Sequence, residues 1–403
     1  MDLTSKLRQL LPQKSSPAPS RRTADLDPYL HGAEAVTPLG PCYVVTRELP
    51  LDHYHGRSTL GEACQAAYSQ LSRFGPENGD QLRLDETIFL DTETTGLAGG
   101  TGTYAFLVGL GYFTANAFVV KQILMRDYNE ELALLHLVEK ELRQKKTIVS
   151  FNGRVFDVPL LQTRFALARL GFSGATGMAH FDLLPISRRL WRQKLESCSL
   201  NSLEENILCL ERSGDIPGYE IPQRYFDFLH TGQGWLLADI VEHNFLDIVS
   251  MAALLYSIET ILQTEPGRCS CPYEAEALAR LAADGGDLPL ALRYLEKAAE
   301  LARDDELYLR IIRQIAFLLK RLGEHRRAAV LWQEILSLAA SDLASAEELA
   351  KFYEHRAKDL YAARQVTRRA LALAWAERSP LVGAFEHRLQ RIENKLRRQA
   401  AEL

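Results

Sequence analysis

The chain of 403 residues is too long for one typical domain, so at least two folded units are expected. Its composition, 47% apolar and 25% charged, is that of a globular protein, and no uninterrupted apolar run reaches the roughly 18 residues a membrane span requires. A net charge of −5 offers no basic footprint for nucleic acid, and six scattered cysteines make no disulfide framework, so the expected compartment is cytoplasmic.

The N-terminal stretch lacks an apolar core followed by a small-residue cleavage site, which argues against a secretory signal. Residues 12–28 are rich in Pro, Ser and charge, and residues 1–34 read as a disordered lead-in. A short strand is expected over 43–51, followed by a surface loop holding His53 and His55. Ile88, Phe89 and Leu90 form a buried run that ends in Asp91, with the turn formers Thr94, Thr95 and Gly96 after it. Residues 104–113 and 117–125 are β-rich, and the link Thr114-Ala115-Asn116 is short enough for a hairpin. Leu132, Leu135, Val138 and Leu142 share helical spacing and predict a helix from about Asn129 to Lys145. A strand over 147–151 then leads into a helix whose first turn holds Asp157. Three strands, a helix, a strand and a helix predict an α/β unit, a mixed sheet flanked by helices, over residues 35–263. Beyond Gly171 the pattern turns helical, with a long helix over about 236–261 that contains His243, Asn244 and Asp247.

Residues 264–273 read as a linker, and 274–403 as an all-α region of a different kind. Ala291, Ala328 and Ala363 each follow a polar turn: Gly286-Asp287, Gly323-Glu324 and Lys358-Asp359. Seven residues after each comes a further buried-type residue, Ala298, Ile335 or Ala370. Small residues permit close helix crossings, and Tyr294 and Trp332 would fill the wider gaps. Recurrence at about this interval resembles tetratricopeptide repeats, which implies a surface for a protein partner.

The carboxylates carry the chemistry. Asp91 and Glu93 stand two apart on a strand, so both face one side. Close carboxylates repel, and a divalent cation removes the conflict. Asp157 opens a helix after the turn Asn152-Gly153-Arg154, and His243 and Asp247, four apart, share a helix face. Together the phrases FLDTETTGLAGGTGTYAFLVGLG, SFNGRVFDVPLLQTRF and HNFLDIVSMAALL resemble the three motifs of DEDD exonucleases on the ribonuclease H-like fold. They look most like the YprB-type ribonuclease H-like proteins of bacteria, and the likeness covers roughly residues 35–260.

That resemblance implies phosphodiester hydrolysis, 3′→5′ on a single-stranded DNA or RNA end, with Asp91, Glu93, Asp157 and Asp247 holding two divalent ions. Oxygen ligands favour Mg²⁺ or Mn²⁺ over zinc. His243 would act as general base. It departs from the family pattern, in which such a histidine stands five residues before the last aspartate rather than four. Asn152, Arg154 and Thr94 are candidates for substrate contact, and Gly99-Gly100-Thr101-Gly102 could offer backbone N–H groups to a phosphate. Asp182 is expected to cap a helix, and Cys269 and Cys271, without a second pair, are assigned no metal. The alternative is a non-catalytic scaffold that grips nucleic acid on the same fold. The charge divides unevenly, −7 over residues 1–273 and +2 over 274–403. Two bound divalent ions would bring the first part to about −3, placing positive charge where a phosphate must sit.

Overall fold

The computed structural model describes residues 26–74, 82–96, 101–173 and 177–401. Two compact units divide the chain, one within Met1–Arg188 and Ser197–Thr260, the other Arg189–Glu196 with Ile261–Leu403.

In the first unit a short helix α1 (Asp27–Leu30) precedes β1 (Ala33–Thr37) and β2 (Gly40–Pro50). Next come the small hairpin β3 (Tyr54–His55) and β4 (Ser58–Thr59), and helix α2 (Leu60–Gln65). The central run is β5 (Thr87–Thr94), β6 (Ala105–Phe113), β7 (Ala117–Leu124), α3 (Glu131–Leu142), β8 (Thr147–Ser150) and α4 (Asp157–Ala168). Then follow β9 (Ala179–Asp182), α5 (Leu183–Trp191), α6 (Leu200–Leu203), α7 (Ile221–Thr231) and the long α8 (Ala238–Leu262). Among the described residues the sheet has seven strands in the order β1-β2-β7-β6-β5-β8-β9. β5 is antiparallel to β6 and parallel to β8, and β9 extends the parallel side. This is the mixed sheet flanked by helices that the element order predicted, followed by an all-helical region.

Ile88, Phe89 and Leu90 are fully buried, as a strand covered on both faces requires. Their burial fixes β5 in the middle of the sheet and sets its C-terminal end as the place where polar residues emerge. α8 lies close against β6 because that strand is glycine-bearing. A Cβ on Gly109 would come within 2.3 Å of Asn244 Oδ1, and one on Gly111 within 2.4 Å of Ile248 Cγ2. By length and hydropathy the helical stretch Gly234–Leu262 could cross a membrane, a signal that counting uninterrupted apolar runs passes over. Ile240, Ile248, Val249, Met251 and Leu255 are buried in the protein instead, as in a core helix.

Three expectations need correction. Residues 1–25 of the supposed lead-in lie outside the described residues, but 26–34 are folded: Leu26 and Leu30 join the core, and Tyr43 Oη donates to Asp27 Oδ1 at 2.6 Å. Two apolar anchors at helical spacing outweigh the polar composition around them. His55 is not on the surface; it is buried, with Nε2 2.7 Å from Ser250 Oγ. Leu132, read as core-facing, is 41% exposed, whereas Leu134 is fully buried.

In the second unit α9 (Pro272–Asp284), α10 (Leu288–Leu301), α11 (Asp305–Arg321), α12 (His325–Leu338), α13 (Leu343–Phe352), α14 (Leu360–Ala376) and α15 (Val382–Ala401) each pack on the next. Ala291, Ala298, Ala328, Ile335, Ala363 and Ala370 are all buried, as are Tyr294 and Trp332. The polar turns each combine a left-handed residue, Gly286, Gly323 or Lys358, with a helix start. Asp287 and Asp359 accept from the N–H groups of Leu290 and Ala362. The segment Arg189–Glu196 also belongs to this unit, with Trp191 Nε1 donating to Glu274 Oε1 at 3.3 Å. The division is therefore not a single cut at 264–273.

Gly111→Ala should destabilise the first unit by about 1–3 kcal/mol, since Ile248 is branched at the contact and cannot swing away without disturbing the core. Thermal unfolding of the variant against the parent chain measures it.

Candidate active site

Asp91 and Glu93 leave the sheet at the end of β5, opposite Gly109 and Leu107 of β6. Asn244 of α8, fully buried, donates from Nδ2 to Asp91 Oδ2 at 2.8 Å. Its Oδ1 accepts from Gln122 Nε2 of β7 at 2.8 Å, and the same nitrogen donates to the Val241 carbonyl at 2.7 Å. An ionised carboxylate only accepts, so Asp91 fixes which way the Asn244 amide points. The polar chain Gln122–Asn244–Asp91 thus runs across the space that Gly109 leaves open.

Asp157 begins α4 and is almost fully buried. It accepts a short 2.5 Å hydrogen bond from Thr92 Oγ1, and a Cβ on Gly153 would stand 2.9 Å from its Oδ2. Thr92 was not singled out from sequence, because strand alternation alone turns it away from Asp91 and Glu93. The turn before α4 is locked by Asp182, whose oxygens accept from the backbone N–H groups of Asn152 (2.7 Å), Arg154 (3.2 Å) and Leu184 (3.1 Å). Asn152 adopts a left-handed conformation at φ 64°. The Arg154 guanidinium donates to the His180 carbonyl at 2.6 Å. The structure thus ties both proposed substrate contacts into the turn itself. Thr94 likewise donates its hydroxyl to the Gly96 carbonyl, at 2.9 Å. Gly99 and Gly100 lie outside the described residues.

Asp247 and His243 project from α8 onto a group of residues from the segment that follows α6. Arg212, with a side chain only 5% exposed, donates to Asp247 Oδ1 and to Glu204 Oε1, each at 2.5 Å, and to Asp215 Oδ2 at 3.1 Å. His243 Nδ1 lies 2.7 Å from Asp215 Oδ1, and its Nε2 lies 3.7 Å from Asp247 Oδ2. A hydrogen bond to Asp215 holds the ring through Nδ1 and turns Nε2 to the Asp247 side. Glu204 is backed by Ser250, and Ser250 by His55. Burial, with the nearby positive charges of His53 and Arg212, pushes His55 down to about 4, so it stays neutral. Arg212, Glu204 and Asp215 lie in the stretch CSLNSLEENILCLERSGDIPGYEIPQRYFDFLHTG, to which the family likeness extends, but nothing in their spacing marks a role for them.

The carboxylates repel one another. Burial, then the charges of Asp247 and Asp157, pushes Asp91 well above the usual carboxylate range. Glu93 is raised likewise by burial, Asp91, Asp247 and Asp157. Burial lifts Asp157 to about 6 despite the Thr92 hydrogen bond. As the side chains stand, no three His, Cys, Asp or Glu among the described residues converge closely enough to enclose an ion. The donor set nevertheless suits a hard cation. No cationic side chain among the described residues touches Asp91 or Glu93, and all donors are oxygen.

Residues 88–258 match the RNase_H superfamily. Over 359 residues the chain is 29% identical to the uncharacterized protein YprB of Bacillus subtilis (strain 168), spanning 88% of this chain and 86% of that protein. The matched span includes Asp91, Glu93, Asp157, Glu204, Arg212, Asp215, His243 and Asp247.

Folded-state values raised above those of the unfolded chain mean that the metal-free fold binds more protons than the unfolded chain. Its stability should fall as pH rises from about 4 through about 6, the value reached by Asp157. Asp91→Asn removes one repelling charge and should raise the metal-free melting temperature at pH 7.5 by a few degrees, about 1–2 kcal/mol. Mn²⁺ should then stabilise the parent chain more than the variant, which differential scanning fluorimetry with and without EDTA measures.

Proposed function

We propose that the RNase H-like unit is a metal-dependent nuclease that hydrolyses phosphodiester bonds from a 3′ end of single-stranded DNA or RNA. The observation that carries this reading is the crowding of Asp91, Glu93, Asp157 and Asp247 at the end of one buried strand, held at a cost in repulsion that no structural role explains. Mg²⁺ or Mn²⁺ at Asp91, Glu93, Asp157 and Asp247 would supply positive charge for the attacked phosphate and for both oxygens of an in-line displacement.

The chain's own groups divide the remaining work. Asn244 holds the Asp91 carboxylate in one orientation through the hydrogen bond at 2.8 Å. Thr92 and the space left by Gly153 do the same for Asp157. Asp215 orients His243 so that Nε2 accepts the proton of the attacking water. This partnership lets a histidine at the shifted spacing serve as base, because Asp215 sets the ring rather than the register of α8 alone. The helical unit would recruit a partner.

One observation favours a second reading, a binding module without turnover: Arg212 already occupies Asp247 Oδ1. Turnover decides between them. End-labelled single-stranded DNA and RNA incubated with Mn²⁺ or Mg²⁺ should be shortened from the 3′ end by the parent chain, and about 10³-fold more slowly by Asp91→Asn. His243→Ala should lower kcat far more than it changes KM. Metal binding without turnover on either substrate leaves the binding module as the function.

A further inference from the structure

The positive charge of this chain is concentrated at its end. Residues 360–401 carry nine Lys and Arg and three Asp and Glu, a net of +6, in a chain whose net charge is −5. These residues form α14 and α15. Part of the charge is internal: Arg388, Arg391 and Lys395 converge on Glu354, whose carboxylate is fully buried and is held at about 2 because these cations outweigh its burial. The remainder faces outward, and α14 orders it.

Leu360, Ala363, Thr367, Ala370 and Ala374 make the buried side of α14. At 100° per residue, Tyr361, Arg364, Arg368 and Trp375 fall together on one flank, within about 60° of one another and about 110° from the centre of the buried side, with the exposed Arg369 about 80° beyond Tyr361 toward solvent. Tyr361 is 68% and Trp375 60% exposed, unusual for rings of that size with no apolar cover. Arg364 stacks over the Tyr361 ring at 5.4 Å, and Arg368 is held only by an exposed 3.3 Å pair with Glu393. The two rings stand about 21 Å apart along the helix, with the arginines between them.

We propose that this face of α14 docks single-stranded nucleic acid, the arginines meeting backbone phosphates and Tyr361 and Trp375 stacking on unpaired bases. Exposed rings with guanidinium groups between them are what a flexible polyanion with π-faces requires. A duplex hides its bases from such rings, and an acidic peptide gives them nothing to stack on. The proposal rests on the nuclease reading for the identity of its ligand, since it supplies the strand to be cut. It places nucleic-acid binding on the helical unit, where the repeat resemblance suggested a protein partner.

The test uses the full chain in EDTA, so that turnover plays no part, with a fluorescently labelled 20-nucleotide single strand read by polarisation. Two variants separate the contributions, Arg364→Ala/Arg368→Ala/Arg369→Ala and Tyr361→Ala/Trp375→Ala. The arginine variant should bind more weakly, with its log K against log salt slope shallower by about 2. The aromatic variant should lose at least about tenfold in affinity with the slope unchanged. Parent-like binding by both variants, no binding by the parent chain, or equal preference for a duplex or for polyglutamate overturns the proposal. Loss of turnover with Mn²⁺ while the oligonucleotide still binds through α14 would instead count against the nuclease reading.

Discussion

Carboxylates gathered at the end of one buried strand must be neutralised or held apart, and the first unit is organised around that constraint. Asp91 and Glu93 cannot leave the site, because Ile88, Phe89 and Leu90 anchor β5 between β6 and β8. Asp157 cannot leave either, because it opens α4 directly after a turn locked by Asp182. Asp247 alone is on a helix that could ride higher above the sheet, and Gly109 and Gly111 bring that helix down. The repulsion is thus built in by backbone geometry, and side chains can only manage it.

They manage it unequally. Asn244 gives Asp91 one neutral donor, which orients the carboxylate but cancels none of its charge. Thr92 does the same for Asp157. A cation reaches only Asp247, through Arg212, and Arg212 is shared with Glu204 and Asp215. Breaking such a buried set by removing the arginine would leave three acids facing one another, which costs about 3–5 kcal/mol in comparable cases. The side of the site nearest α8 is therefore partly compensated by one cation, while Asp91 and Glu93 on the β5 side have no cationic partner among the described residues. On the proposed reading, the cations would sit beside Asp91 and Glu93, where no protein cation stands.

Much of this could be read directly. The apolar run into Asp91, the hairpin of β6 and β7, the helix opening at Asp157 and the four-residue spacing of His243 and Asp247 are local patterns, and local patterns survive in sequence. So are the small residues of the helical unit, where Gly286 and Gly323 announce turns that need a left-handed residue. Lys358 was legible only by analogy, being a non-glycine residue at φ 59°. What was lost is non-local. Glu204, Arg212 and Asp215 lie in an irregular segment with no periodicity, and each acquires its role from a partner on α8 that is 28 to 46 residues away in sequence (Asp215–His243, Arg212–Asp247, Glu204–Ser250). His55 reaches Ser250 across 195 residues. Strand β9 is four residues long and is defined by its parallel partner β8, not by its composition.

The same reasoning bears on charge. An acidic site repels the polyanion it is proposed to cut until cations are in place, and Arg212 cannot help because its charge is already consumed by three carboxylates. Favourable charge for the proposed strand must then come from elsewhere in the chain, and the sequence concentrates its excess of arginine at the far end, in α14 and α15. Screening limits each such charge to about 8 Å at physiological ionic strength, so a basic helix acts on a strand it touches rather than on the distant solution. Division of labour follows from that limit. On the proposed reading, a surface that holds nucleic acid by backbone charge and stacking would bind many sequences weakly, while the carboxylate site would admit phosphate only with cations bound. Net charge over the whole chain averages these two opposed surfaces, which is why −5 by itself indicated neither.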